Sequence, residues 1–155
     1  MPKKSVSKPT GTFVECEGEL VFPSAGREAR EAVYHTLSAF RKKNTAVRVF
    51  LIRNTAMRRL NNEFRGKNKP TTVLSFEAGG KFPYPESGAS RKYLGEIYLA
   101  PQYIGEKKES VARMVVHGCL HLLGYTHKKK NDRMEMERRE RWVLERIEKK
   151  NLLSK

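Results

Sequence analysis

The sequence predicts an α+β fold: a small, mixed β-sheet packed with helices in one layered domain. Three observations lead there. Segments with strand-like alternation and segments with helical spacing follow one another in the order β-α-β-α-β-β-α-α. Two strands follow each other with no helix between them, which suits a small mixed sheet. At 155 residues and 38% hydrophobic content, the chain can bury one real core and divides into no obvious second unit.

Residues 1–11, rich in lysine and lacking an apolar run, read as a flexible basic tail rather than a secretory signal. The domain then occupies residues 12–155. Thr12 to Phe22, "TFVECEGELVF", mixes β-branched, aromatic and acidic residues and reads as one strand or a short hairpin around Gly18. Ser24 is a candidate cap for the next helix, whose core face is Ala29, Val33, Leu37 and Phe40. His35 lies off that stripe and reads as a surface residue.

Thr45 to Ile52, "TAVRVFLI", alternates as a strand. Asn54 or Thr55 would cap a helix carrying Met57, Leu60 and Phe64 on one face, with Gly66 at its end. "TTVLSFEA" and "YLGEIYLA" are further strands, separated by a Gly-, Pro- and Ser-containing loop from Gly79 to Arg91, and Pro101 closes the second of them. A helix covers about Ser110 to Leu123 and stops at Gly124. The last helix, about Asn131 to Lys150, puts Met136, Val143, Leu144 and Ile147 on one side, and its charged remainder reads as a solvated face.

There are 32 Lys plus Arg against 17 Asp plus Glu, a formal charge of +15. So large an excess favours a polyanionic partner, with nucleic acid first. Cys16 and Cys119 are the only cysteines, too few and too far apart for a disulfide framework or a CxxC knuckle. A reducing, cytoplasmic home fits them. No stretch is long and apolar enough to span a membrane.

Chemistry concentrates in "VVHGCLHLLGYTH", Val115 to His127, which holds three of the four histidines. His117 and His121 are four apart and so share a helix face. Gly124 can take the left-handed conformation that ends the helix and turns the chain back, which would return His127 to the other two. H-x-x-x-H-x-x-G-x-x-H has the ligand spacing of the metzincin zinc peptidases. Gly118 stands where those enzymes carry the Glu general base. His117, His121 and His127 are therefore candidate ligands for one Zn2+, or for another divalent ion that favours imidazole. Three imidazoles leave a coordination position open, as catalytic rather than structural zinc requires. Cys119 falls off the histidine face and reads as core.

"HGCLHLLGYTH" resembles the H-G-x-L-H-L-x-G-Y-D-H signature of the YbeY-type bacterial endoribonucleases. "MRRLNNEFRGKNKPTTVLSF", Met57 to Phe76, and "LGEIYLA" resemble two further segments of that family, in the family's order. The resemblance implies a small α+β metalloprotein, metal ligation by His117, His121 and His127, and a catalytic role for Arg65 facing the metal cleft. It also implies single-stranded RNA, the 16S rRNA precursor, as substrate, and work with the ribosome or its small subunit in 16S 3′ end maturation and quality control. The family pattern carries Asp where this chain has Thr72, Glu96 and Thr126. Glu96 keeps the charge and is the one carboxylate that motif order brings toward the site; the threonines supply only hydroxyls. Lys67, Lys69 and Lys128 to Lys130 would track the RNA backbone. Ser75 reads as structural. Two other readings stay open at this point: an RNA- or ribosome-binding assembly factor with a structural metal, and a zinc peptidase.

Overall fold

The computed structural model describes residues 12–79 and 91–153. The basic tail expected at 1–11, and the loop from Gly79 to Arg91 except its two end residues, lie outside the described residues. The elements are β1 (Phe13–Glu17), α1 (Pro23–Ala39), β2 (Thr45–Leu51), α2 (Asn54–Arg65), β3 (Val73–Glu77), β4 (Lys92–Leu99), α3 (Pro101–Glu106), α4 (Val111–Leu122) and α5 (Lys130–Leu153). The expected α+β order holds, with one addition. Pro101 does close the strand, but it also opens the short helix α3, whose six residues are too few for a periodic pattern.

The sheet is mixed, in the order β1-β2-β4-β3. β1 and β4 run parallel to β2, and β3 runs antiparallel to β4. Neighbouring side chains of a strand point to opposite faces. The register sets Val49 beside Ile97 on one face, and Phe50 beside Tyr98 on the other. Helices α1, α4 and α5 cover the first face through Val33, Leu37, Val116, Leu120 and Val143, all fully buried. Each such burial contributes roughly 1.5–3 kcal/mol. A smaller cluster of Met57, Leu74 and Ala100, with Leu60, Phe76 and Tyr98 against it, seats α2 on the second face.

Several local expectations change. Of the two forms expected around Gly18 the single strand is the one found, shorter than expected: β1 ends at a turn where Gly18, at φ +94, accepts from the backbone amides of Val21 and Phe22. A side chain there would meet the Leu51 carbonyl at 2.4 Å. Ser24 does not cap α1; the helix starts at Pro23, whose fixed φ suits the first turn. Neither Asn54 nor Thr55 caps α2, since Arg53 holds the cap position with extended backbone. Ser110 does cap α4, its hydroxyl accepting from the Arg113 amide at 3.0 Å. Phe40 sits just past α1, half-buried against Tyr125 and Trp142.

Candidate metal centre

Helix α4 carries the first two histidines and ends at a tight reversal. The Gly124 amide donates to the His121 carbonyl, and the Tyr125 amide donates to the Leu120 carbonyl, both at 3.0 Å. With Gly124 at φ +96, this is a Schellman end, and it brings the chain back. The ring of His127 then lies 4.9 Å from that of His121 and 5.8 Å from that of His117. One nitrogen from each of His117, His121 and His127 lies within 4.8 Å of the others.

Hydrogen bonds fix which nitrogens face inward. His121 Nδ1 lies 3.0 Å from the Tyr125 carbonyl oxygen, which can only accept, so Nδ1 carries the proton. His117 Nδ1 lies 3.2 Å from Oε2 of Glu140. Burial works to raise the pKa of Glu140, but hydrogen bonds from His117 and Arg113 outweigh it and hold the group below 4.5. The carboxylate is ionised and accepts, so His117 Nδ1 also donates. With both rings neutral, as metal ligation requires, their Nε2 atoms present lone pairs, and these face each other at 3.2 Å. Two lone pairs at that distance repel unless a proton or a metal ion lies between them. Zn–N bonds of 2.0–2.1 Å at a tetrahedral angle set two nitrogens about 3.3 Å apart. The donor set fits an imidazole-favouring divalent ion with a fourth position free.

Burial, then the charges of His117, His127 and Arg65, hold His121 below the usual imidazole value of 6.5, against the opposing Tyr125 carbonyl. The neutral ring that a metal needs is thereby favoured. Cys119 is fully buried, and burial pushes its thiol up to about 12; it is core, as its offset predicts.

Glu140 was not legible as a site residue. It sits on α5, buried, with its second oxygen 3.0 Å from Arg113 Nε. Its signal was present in the sequence: it stands in the stripe of Met136, Val143 and Ile147 as the one carboxylate among buried apolar residues. Glu96, by contrast, is not at the site. The next residue, Ile97, faces α4, so Glu96 points to the opposite side of the sheet, where Tyr98 donates to it at 3.0 Å. Ser75 registers with Ile97 on the α4 side.

Gly118 packs against β4. A Cβ added there would lie 3.2–3.4 Å from the Ile97 side chain. A glutamate at this position would press its stem against Ile97 in the core, so the site of the absent peptidase base is tightly packed.

Arg65 ends α2 and is followed by Gly66 in the left-handed conformation. It lines a groove of about 500 Å3 with Lys67, Lys69, Thr72, Lys107 and Met114. Met114 lies one turn before His117, on the helix that carries it, so the groove opens beside the histidines. Lys128 to Lys130 follow His127 and are exposed.

The family model described as Endoribonuclease YbeY matches residues 21–148. The chain belongs to the endoribonuclease YbeY family. That membership supports a nuclease activity and an RNA substrate. A protein named Endoribonuclease YbeY from Pseudoalteromonas translucida (strain TAC 125) is 35% identical over 140 residues, covering 84% of this chain and 86% of its own length. Another of the same name, from Bartonella bacilliformis, is 39% identical over 106 residues, covering 63% of this chain and 65% of its own length. The solution structure of a Thermotoga maritima protein is similar at a TM-score of 0.45 and 21% identity, over 89% of this chain and 93% of that one. Among the described residues of this YbeY-family chain, no helix is long and apolar enough to cross a membrane.

Proposed function

We propose that the chain is a metal-dependent endoribonuclease specific for single-stranded RNA, acting in maturation of the 16S rRNA 3′ end and in ribosome quality control. The observation that carries this reading is the pair of inward-facing Nε2 atoms at 3.2 Å, with His127 completing the set.

In this reading His117, His121 and His127 hold one Zn2+, or a similar divalent ion. When bound, such an ion supplies Lewis acidity and activates water near neutral pH. The Tyr125 carbonyl and Glu140 hold two of the rings in the ligating tautomer. Arg65 offers a forked pair of donors to the non-bridging phosphate oxygens as charge develops on them. Lys67, Lys69 and Lys107, which line the same groove, and Lys128 to Lys130 neutralise the RNA backbone. The precursor rRNA on the small subunit is the substrate. The protein works in the cytoplasm, consistent with two unpaired cysteines.

The test is metal analysis of the wild type and His121→Ala, with both assayed on single-stranded and duplex RNA. We expect about one ion per chain and cleavage of the single strand, both lost in the variant. A wild type without metal removes this reading. A wild type that holds metal but cuts no RNA under any metal supplement supports the assembly-factor alternative instead.

A further inference from the structure

We propose that helix α2 carries a second phosphate-binding subsite, away from the histidines, that grips the backbone of single-stranded RNA through Arg58 and Arg59. The proposal rests on the endoribonuclease reading above and adds where its substrate runs.

Arg58, Asn62 and Arg65 fall at i, i+4 and i+7, so they form one stripe along α2. Arg65 is the end of that stripe that lines the groove beside the histidines. Arg58 is seven residues earlier, about 10 Å along the axis. A second groove of about 320 Å3 opens there, lined by Thr55, Arg58, Arg59, Asn62 and Asn68. Its lining offers two guanidinium groups, two amides and a hydroxyl, with no carboxylate. Glu63, the only acid of α2, is in neither lining.

Arg58 is held in place. Its Nε donates to Asn68 Oδ1 at 2.8 Å, which fixes the guanidinium plane and leaves the two terminal amino groups as further donors. Fixing an arginine beforehand lowers the entropy lost on binding an anion. The chain that supplies Asn68 turns back from α2 at Gly66 and divides the two grooves. Lys67 and Lys69 line the near groove and Asn68 lines the far one. Two grooves rich in basic residues, whose arginines Arg58 and Arg65 lie about 10 Å apart along the helix axis, suit a chain of phosphates better than a single anion; Glu109, which also lines the near groove, is paired with Arg113.

The test measures binding of labelled single-stranded RNA by fluorescence anisotropy, comparing a short (about 4-nucleotide) with a longer (about 16-nucleotide) oligonucleotide. The wild type is expected to bind the longer strand more tightly. Arg58→Ala with Arg59→Ala should lose that gain, weakening binding roughly 10–30-fold at 0.1 M salt and lowering the salt slope by about 1.4, two contacts at ~0.7 each. Asn62→Asp, which sets a carboxylate between the arginines, should weaken the longer strand too. All three side chains are exposed, and thermal unfolding checks that the variants fold. The control removes two exposed cations of α5, Arg141→Ala with Lys149→Ala. Unchanged length dependence and slope in the α2 variants overturn the subsite, as does an equal loss in the control. If the wild type binds RNA but never cuts it, the endoribonuclease reading falls while these binding data still decide the subsite.

Discussion

Glu140 accepts a hydrogen bond from His117 across 23 residues of sequence, Oε2 to Nδ1 at 3.2 Å, while its other oxygen takes Arg113 Nε at 3.0 Å. A buried carboxylate thus ties α5 to α4 and orients one of the proposed ligands. Outer partners of this kind commonly contribute 10–100-fold to metal affinity.

Glu140→Ala should therefore weaken zinc binding by about 10–100-fold, read by competition against a chromophoric chelator. Glu140→Gln keeps an oxygen acceptor and should lose less. The nitrogen chemical shifts of His117 in metal-free protein give a second readout, because the Nδ1–H tautomer depends on that acceptor. Equal affinity and an unchanged tautomer in both variants would show that Glu140 only fills space.

Gly118 offers a test of the discarded peptidase reading. Restoring the peptidase glutamate as Gly118→Glu should not create a protease. It should destabilise the fold by about 3–5 kcal/mol, because it forces a charge against Ile97 in the core. Urea unfolding measures the loss, and a casein assay measures the activity. A stable variant with proteolytic activity would contradict the packing of α4 on β4.

Much of this site was readable in the sequence because its determinants are local. His117, His121, Gly124 and His127 lie within one helix and one turn, where spacing alone fixes geometry. Arg65 needed the family resemblance, since nothing local distinguishes it from its neighbours Arg58 and Arg59. Glu140 was hidden because its partner lies on another helix, and periodicity marks which face is buried without naming what lies opposite. Glu96 was misplaced for a related reason. Its side of the sheet depends on a register that shifts between Ala46 and Val47, where β4 carries an extra residue before Gly95. The strands themselves were legible from alternation, but their order was not, because pairing is a long-range property.

Stability in the metal-free protein should fall on acidification, through two groups with the same sign. His121 has its pKa held below 6.5 in the fold. Below 6.5 the unfolded chain binds the proton more readily, so the contribution of His121 declines as pH falls from there. Glu140 is held below 4.5. Its contribution is complete above 4.5 and is lost as pH falls through the folded value. Urea midpoints measured from about pH 8 to about pH 2.5 should fall first near 6.5 and again below 4.5. In His121→Ala the upper step should shrink, and in Glu140→Gln the lower one. Unmoved steps would assign the acid sensitivity to other groups.

Arg65 separates chemistry from architecture. It is exposed at the end of α2, is not one of the proposed ligands, lines the groove, and acts on His121 through its charge. Arg65→Ala should keep the metal content and the thermal midpoint of the wild type. Loss of a donor aimed at developing phosphate charge should reduce single-strand RNA cleavage by about 10²–10³-fold. Arg65→Lys should recover only part of this, since an ammonium keeps the charge but not the fork. The measurement is single-turnover cleavage at saturating protein, which isolates the chemical step from binding. A full rate in Arg65→Ala would move the phosphate-stabilising role to Lys67, Lys69 or Lys107. A loss of metal together with activity would mean that Arg65 supports the site rather than the reaction.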